Sequence, residues 1–159
     1  MALTDNLKVY LKFDESSGNA ADSSGNGYTF TNTGTTAFAA ALINNGGDLG
    51  AANSAKCFYN ANIALANNTD YTISINFKVA TEPATNTYGF LFHQLFNGVI
   101  HGLEYADVAG VKKLRCVSYN GSVTYNDYNV TLGTTVFHNI TLRHHQAANT
   151  FDLLLDGKV

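Results

Sequence analysis

The chain of 159 residues contains no tryptophan, one proline and two cysteines, and Asp, Glu, Lys and Arg together make up only 13% of it. Each scarcity excludes something. Cys57 and Cys116 are too few and too far apart for a disulfide scaffold. Both lie in alternating or apolar runs, AKCFYN and KLRCVSYN, which predicts two buried free thiols rather than a bridge and offers no catalytic setting. A single proline leaves no Pro/Ser/Thr linker of the kind that joins modules of secreted enzymes. The net charge is −3 without any basic block, which excludes a groove built to neutralise phosphates, so no nucleic-acid partner is expected. No apolar run approaches the roughly 18 residues of a membrane span. The opening MALTDNLKVY lacks the charged-then-apolar pattern and cleavage site of a secretory leader.

What is present favours strands. A chain of this length buries about 70% of its unfolded surface and supports a real core. Aromatic and β-branched residues among abundant Asn and Gly point to an all-β protein. YTISINFKV (71–79) alternates cleanly, with Tyr71, Ile73, Ile75, Phe77 and Val79 inward and Thr72, Ser74, Asn76 and Lys78 outward. LKVYLKF (7–13) likewise puts Leu7, Val9, Leu11 and Phe13 on one face. Further strand-like runs follow at short intervals, separated by turn signals such as Asn97-Gly98 and Asn120-Gly121. The second of these, LRCVSY-NG-SVTYND, predicts a hairpin with a type I′ turn. The nearest approach to a helix is AFAAALINN (37–45), which is long enough only for an uncapped helical turn. The expectation is one domain over 1–159, an antiparallel β-sandwich.

FDESSGNAADSSGNGYTF (13–30) is the most distinctive loop. It is not a phosphate loop, because no Lys-Ser/Thr and no helix follow its glycines. It is not an EF-hand, because DSSGNG lacks alternating acids and a closing Glu. Two readings stay open. In one, Asp22 accepts from the N–H groups of Ser24 and Gly25 in an Asx-turn and, with Asn26, pins a corner. In the other, Asp22 and Asn26 ligate a hard cation such as calcium through oxygen.

Four stretches in order, LKVYLKFDESSGNAADSSGNGYTF, GDLGAANSAKCFYNANIAL, DYTISINFKV and VFHNITLRHHQAANTFDLLLDGKV, resemble the landmarks of laminin-G-like (LamG) domains in the concanavalin A-like lectin/glucanase superfamily. Phe137-His138 stands where that family has Trp-His, and the chain from Leu153 to Lys158 matches its closing hairpin. The resemblance implies a jelly-roll sandwich, and calcium at its rim would draw on Asp22 and Asn26, with Asp14 and Asp156 as more distant candidates. Family members continue past the DGK turn, so the chain is expected either to lack its last strands or to have the open edge completed by another chain through strand addition. Chains with this opening also look like phage and bacterial structural proteins.

Catalysis is not expected. Hydrolases of the superfamily place three acids on one strand, whereas GLEYADVAG offers only Glu104 and Asp107, on opposite faces. His144 and His145 are adjacent and face opposite ways, and no Ser/His/Asp grouping occurs. His93 and His101 flank a predicted hairpin, which leaves a zinc pair open. Sugar binding needs flat aromatic faces beside amides and carboxylates. CVSYNGSVTYNDYNV supplies Tyr119, Tyr125, Asp127, Tyr128 and Asn129, with Tyr125, Asp127 and Asn129 on a common strand face; Tyr88, His93 and Tyr105 extend the candidate groove. These readings converge on a non-catalytic adhesion or assembly protein, a virion-surface or extracellular component that binds a glycan or cell-surface polysaccharide and contacts protein partners in an assembly. The alternative is a calcium-assisted carbohydrate-binding module of a larger secreted or surface protein.

Overall fold

Alternation of apolar and polar residues is what a strand needs to bury one face and wet the other, and the computed structural model is built of such strands. It describes residues 6–49, 56–63, 70–96, 99–119, 122–145, 147–148 and 150–158, with the side chains of 94–96, 99–100 and 119 left aside. Both Asn-Gly turns fall outside the described residues. No helix among those described is long and apolar enough to cross a membrane. The chain gathers into two compact units, Met1–Ile63 and Ala64–Val159.

In the first unit, β1 (Ala20–Ala21), β2 (Thr29–Thr33) and β5 (Cys57–Tyr59) form an antiparallel sheet, and β3 (Ala37–Ala40) pairs with β4 (Asn45–Asp48). Residues 37–45 are therefore a hairpin rather than a helical turn: Ala41 N–H donates to the Asn44 carbonyl (2.9 Å), and Asn44 takes the positive φ of 54° that closes it. Phe58 packs against Phe13 and Phe38, with ring centroids 4.9 and 5.4 Å away. Gly47 lies under that ring, where a Cβ would come within 2.5 Å of Phe58. Cys57 is exposed, contrary to the expectation of a buried thiol, because the three-residue β5 turns Phe58 inward and its neighbours outward.

Residues 7–13 show the predicted alternation of burial but join no ladder beyond a single bridge, Leu11 to Asp22. Loop side chains take the place of a partner strand. Asp22 Oδ1 accepts from Tyr10 N–H (2.9 Å), and Asn26 Nδ2 donates to the carbonyls of Leu7 (2.9 Å) and Lys8 (3.1 Å). These bonds, with Ser23 N–H donating to the Tyr10 carbonyl (2.7 Å), satisfy part of the extended backbone without a sheet.

The second unit is the sandwich. Its four-stranded sheet runs in the order β10 (Val123–Asn129), β9 (Val111–Tyr119), β8 (Val99–Val108), β7 (Tyr88–Phe96). Its three-stranded sheet runs β12 (Thr150–Leu155), β11 (His138–His145), β6 (Tyr71–Phe77). Leu103, Tyr105, Leu114 and Cys116 from the first sheet meet Phe77, Ile140, Leu142 and Leu153 from the second in one buried cluster. Each fully buried aliphatic side chain here contributes about 1.5–3 kcal/mol. Burial also pushes the Cys116 thiol up to about 12, which keeps it protonated and inert. Val108 pairs with Val111 across Ala109 (φ 53°) and Gly110 (φ 85°), both left-handed, as a two-residue hairpin turn requires. Asp107 clamps that turn, accepting from Gly110 N–H (2.8 Å) and Lys112 Nζ (2.7 Å).

Candidate functional site

Antiparallel register lines up side chains in rows across a sheet, and on the side of β7–β10 turned away from the core three such rows lie side by side, their β8 members and Val117 buried and their exposed rings on the two outer strands. The first is Tyr88, Ala106, Lys113, Asn129; the second Phe90, Glu104, Arg115, Asp127; the third His93, Gly102, Val117, Tyr125. A bulge between Phe90 and Phe92 adds a residue to β7, so Tyr88, Phe90 and His93 share this face while Leu91 and Phe92 pack against the core.

The aromatic rings stand on the two outer strands. Tyr88 is 51% exposed, Phe90 41% and Tyr125 51%. Tyr88 and Phe90 meet edge to face with centroids 5.6 Å apart, and Phe90 is 4.8 Å from His93. Phe90 also leans over Gly102, where a Cβ would sit 3.2 Å from its ring. Between the aromatics runs a charged row. Arg115 donates from Nε to Asp127 Oδ1 (2.7 Å) and from Nη2 to Oδ2 (3.1 Å), and Lys113 Nζ donates to Oδ2 (3.0 Å). The Arg115 guanidinium lies 4.3 Å from the Tyr125 ring centroid. The Arg115 hydrogen bond holds the Asp127 carboxyl below the usual carboxylate range, against an upward push from burial. Glu104 is buried, which raises its carboxyl, with Arg115 offsetting part of the rise.

Of the residues singled out in the sequence, Tyr125, Asp127 and Asn129 come together here with Tyr88 and His93. Tyr128 and Tyr105 do not: both lie on the opposite face, Tyr128 packed against the core and Tyr105 within it, its hydroxyl donating to Glu82. Tyr119 pairs through its backbone with Val123 and Ile100, and its side chain lies outside those described. Asp127 is not offered alone to a ligand, since its oxygens already accept three bonds; it positions Arg115. Arg115, Lys113 and Phe90 were missed by sequence reasoning. The alternation of Lys113 and Arg115 in KKLRCVSY marked the first two, but nothing in the sequence announced the bulge that turns Phe90 outward.

The register also corrects the turn expected at Asn120-Gly121. A two-residue type I′ turn would pair Tyr119 with Ser122 and carry Tyr125 to Cys116, on the core side. Tyr119 instead pairs with Val123, enclosing three residues, and Tyr125 pairs with Val117.

His93 and His101 form no zinc pair. His93 is opposite Gly102 on the aromatic face, whereas His101 is buried between the sheets, its Nδ1 hydrogen-bonded to the Tyr71 hydroxyl (2.7 Å) and its ring 5.3 Å from His144. Glu104 and Asp107 lie on opposite faces of β8, the one beside Arg115 and the other bound to Lys112. His138 Nδ1 donates to Asp156 Oδ2 (2.8 Å), whose Oδ1 accepts from Asn139 N–H (2.8 Å) and ties together the open end of the β11–β12 ladder, away from the turn.

At the other proposed site, Asp22 Oδ1 accepts from Ser24 N–H (2.8 Å) as well as Tyr10, and Oδ2 accepts from Ser24 Oγ (2.6 Å). Burial pushes its carboxyl up, but these bonds outweigh it and hold the group below its ordinary value. A calcium ion takes six to eight oxygens. The single carboxylate, already accepting three bonds, and an Asn26 amide turned nitrogen-first towards backbone carbonyls fit a pinned corner rather than that shell. Asp14 is engaged elsewhere, with Asn44 Nδ2 at 3.3 Å and Lys12 Nζ at 3.8 Å. No cluster of three or more His, Cys, Asp or Glu suited to a metal occurs among the described residues. Compared with known proteins, the chain matches no family model, no curated protein and no solved structure.

Proposed function

We propose that the chain is a non-catalytic adhesion or assembly protein, a virion-surface or extracellular component with a LamG-type jelly-roll, whose aromatic sheet face binds a glycan. The observation that carries the reading is the shared face: Tyr88, Phe90 and Tyr125 are exposed on the two outer strands, and Arg115, held in place by Asp127, and Asn129 in the next row carry hydrogen-bonding groups on the same face. Sugars are bound by stacking of their C–H faces on flat rings and by a few oriented polar groups. Protein contacts in an assembly fall to strand addition at an outer strand, and β12 and β6 are the outer strands of the three-stranded sheet.

The test is a glycan array probed with the purified chain, alongside Tyr125→Ala and Phe90→Ala. Binding by the parent that drops about tenfold or more in both variants, each folded by circular dichroism, is the expected result. A blank array from folded protein removes the glycan and leaves the assembly role.

A further inference from the structure

We infer that the ligand of this face is a neutral oligosaccharide or polysaccharide chain rather than a uronic, sialylated or sulfated one. The inference rests on the glycan reading above and adds the ligand's charge class. Two cations, Lys113 and Arg115, share the face with two carboxylates, Glu104 and Asp127, and with both acids ionised the formal charges cancel. The cations are also already committed. Arg115 makes two bonds to Asp127 and stacks on Tyr125, and Lys113 bonds the same carboxylate. An acidic sugar that reaches the spare N–H groups of Arg115 or Lys113 meets cations whose charge Asp127 already neutralises and brings its own carboxylate or sulfate beside that acid, so the repulsion offsets the attraction.

The next cation along β9, Lys112, is bound to Asp107 and the Pro83 carbonyl and offers no relief. A neutral sugar needs none of this undone. It stacks on the rings and takes hydrogen bonds from the outer edges of the existing network. The distance from β7 to β10 is three strand spacings of about 4.8 Å, roughly 14 Å. Aromatic rings therefore stand at both ends of a span too wide for one sugar ring, which calls for several linked sugars lying across the strands.

The experiment is affinity electrophoresis of the full chain through gels containing a neutral β-glucan, a neutral galactomannan, polygalacturonate or heparin, repeated at low and high salt. The expected result is retardation by a neutral polysaccharide only, with an affinity that changes by less than about twofold when salt is raised well past the point where the screening length falls below about 8 Å. Retardation only by polygalacturonate or heparin, lost at high salt, overturns the charge class while keeping the glycan reading. Retardation by none of the four overturns the glycan reading itself.

Asp127→Asn supplies an independent readout, because it leaves two cations facing one carboxylate. The folded variant is expected to gain retardation by polygalacturonate or heparin that the parent lacks. A folded Asp127→Asn that stays blind to both polyanions shows that charge cancellation is not what excludes them. Should that variant not fold, the salt series on the parent still decides.

Discussion

Arg115 sets its guanidinium 4.3 Å from the centre of the Tyr125 ring while its Nε and Nη2 hold Asp127 on the same neighbouring strand. One side chain is thus fixed on its edge by a carboxylate and on its face by an aromatic ring. The consequence is a polar group and a stacking surface that hold their places before any ligand arrives, so little ordering remains to be done on binding.

Arg115→Lys tests that arrangement. Lysine lacks both the planar fork and the flat face. Loss of the stacking alone is worth about 0.5–1 kcal/mol. Affinity for whichever polysaccharide binds the parent is expected to fall roughly threefold to tenfold, measured by titration calorimetry, with the far-ultraviolet circular dichroism unchanged.

The Asp22 corner makes a prediction about calcium. Its carboxylate is satisfied by Tyr10 and Ser24, so the melting temperature is expected to be the same in millimolar calcium and in EGTA. Asp22→Ala is expected to cost on the order of 1–2 kcal/mol in either buffer, from hydrogen bonds to a charged group. A calcium-dependent rise in melting temperature that Asp22→Ala abolishes would support the calcium-assisted module instead.

Gly47→Ala should damage the Met1–Ile63 unit. The added Cβ meets Phe58 at 2.5 Å, and that ring is wedged between Phe13 and Phe38. Overpacking of this kind costs about 1–3 kcal/mol. Limited proteolysis is expected to cut within residues 1–63 faster in the variant while the sandwich unit survives.

Stability should fall in two steps on acidification. Burial lowers the pKa of His101, with His144 adding to the effect, and burial lowers that of His93. For a base depressed on folding, the unfolded chain binds more protons, so stability is full above the ordinary value of 6.5 and declines as pH falls below it. His101 faces Tyr71, His144 and Phe151 and no carboxylate among the described contacts, so nothing there welcomes its charge. His101→Gln is expected to flatten this first step. The second belongs to Asp127, Asp156, Asp107 and Asp22, all held below 3.8, the first three chiefly by hydrogen bonds from Arg115, His138 and Lys112 and the last, against its burial, by bonds from Ser24 and Tyr10 that outweigh it. Their contribution is present above that value and is lost as pH falls through their lowered pKa. Melting temperatures recorded from pH 8 down to 3 check both steps.

Much of the sandwich was legible because alternation is local. YTISINF reads as a half-buried strand in isolation, and in β6 the residues expected inward are the buried ones. The same rule misjudged residues 7–13, whose alternation is real but whose partners are loop side chains. Nothing in LKVYLKF records whether a carbonyl will meet a strand or an asparagine. Tyr128 and Tyr105, counted among the candidate ligand residues, lie on the core side for a related reason: composition marks an aromatic as useful, while only its register marks it as outward.

From the sequence alone came the all-β class, the inward set of β6, the corner at Asp22 and Asn26, and the separation of Glu104 from Asp107, since each depends on neighbours within a few positions. The tertiary structure decided the site. One extra residue in the connection after Tyr119 moves Tyr125, Asp127 and Asn129 from the core side to the outer face, and one bulge in β7 turns Tyr88 and Phe90 out to join them and His93. Side chains alternate with a period of two, so a slip of one residue exchanges inside for outside along a whole strand. Which face lies inside is read from the side chains the two sheets bury together, here Leu114 and Cys116 of β9 with Tyr128 of β10.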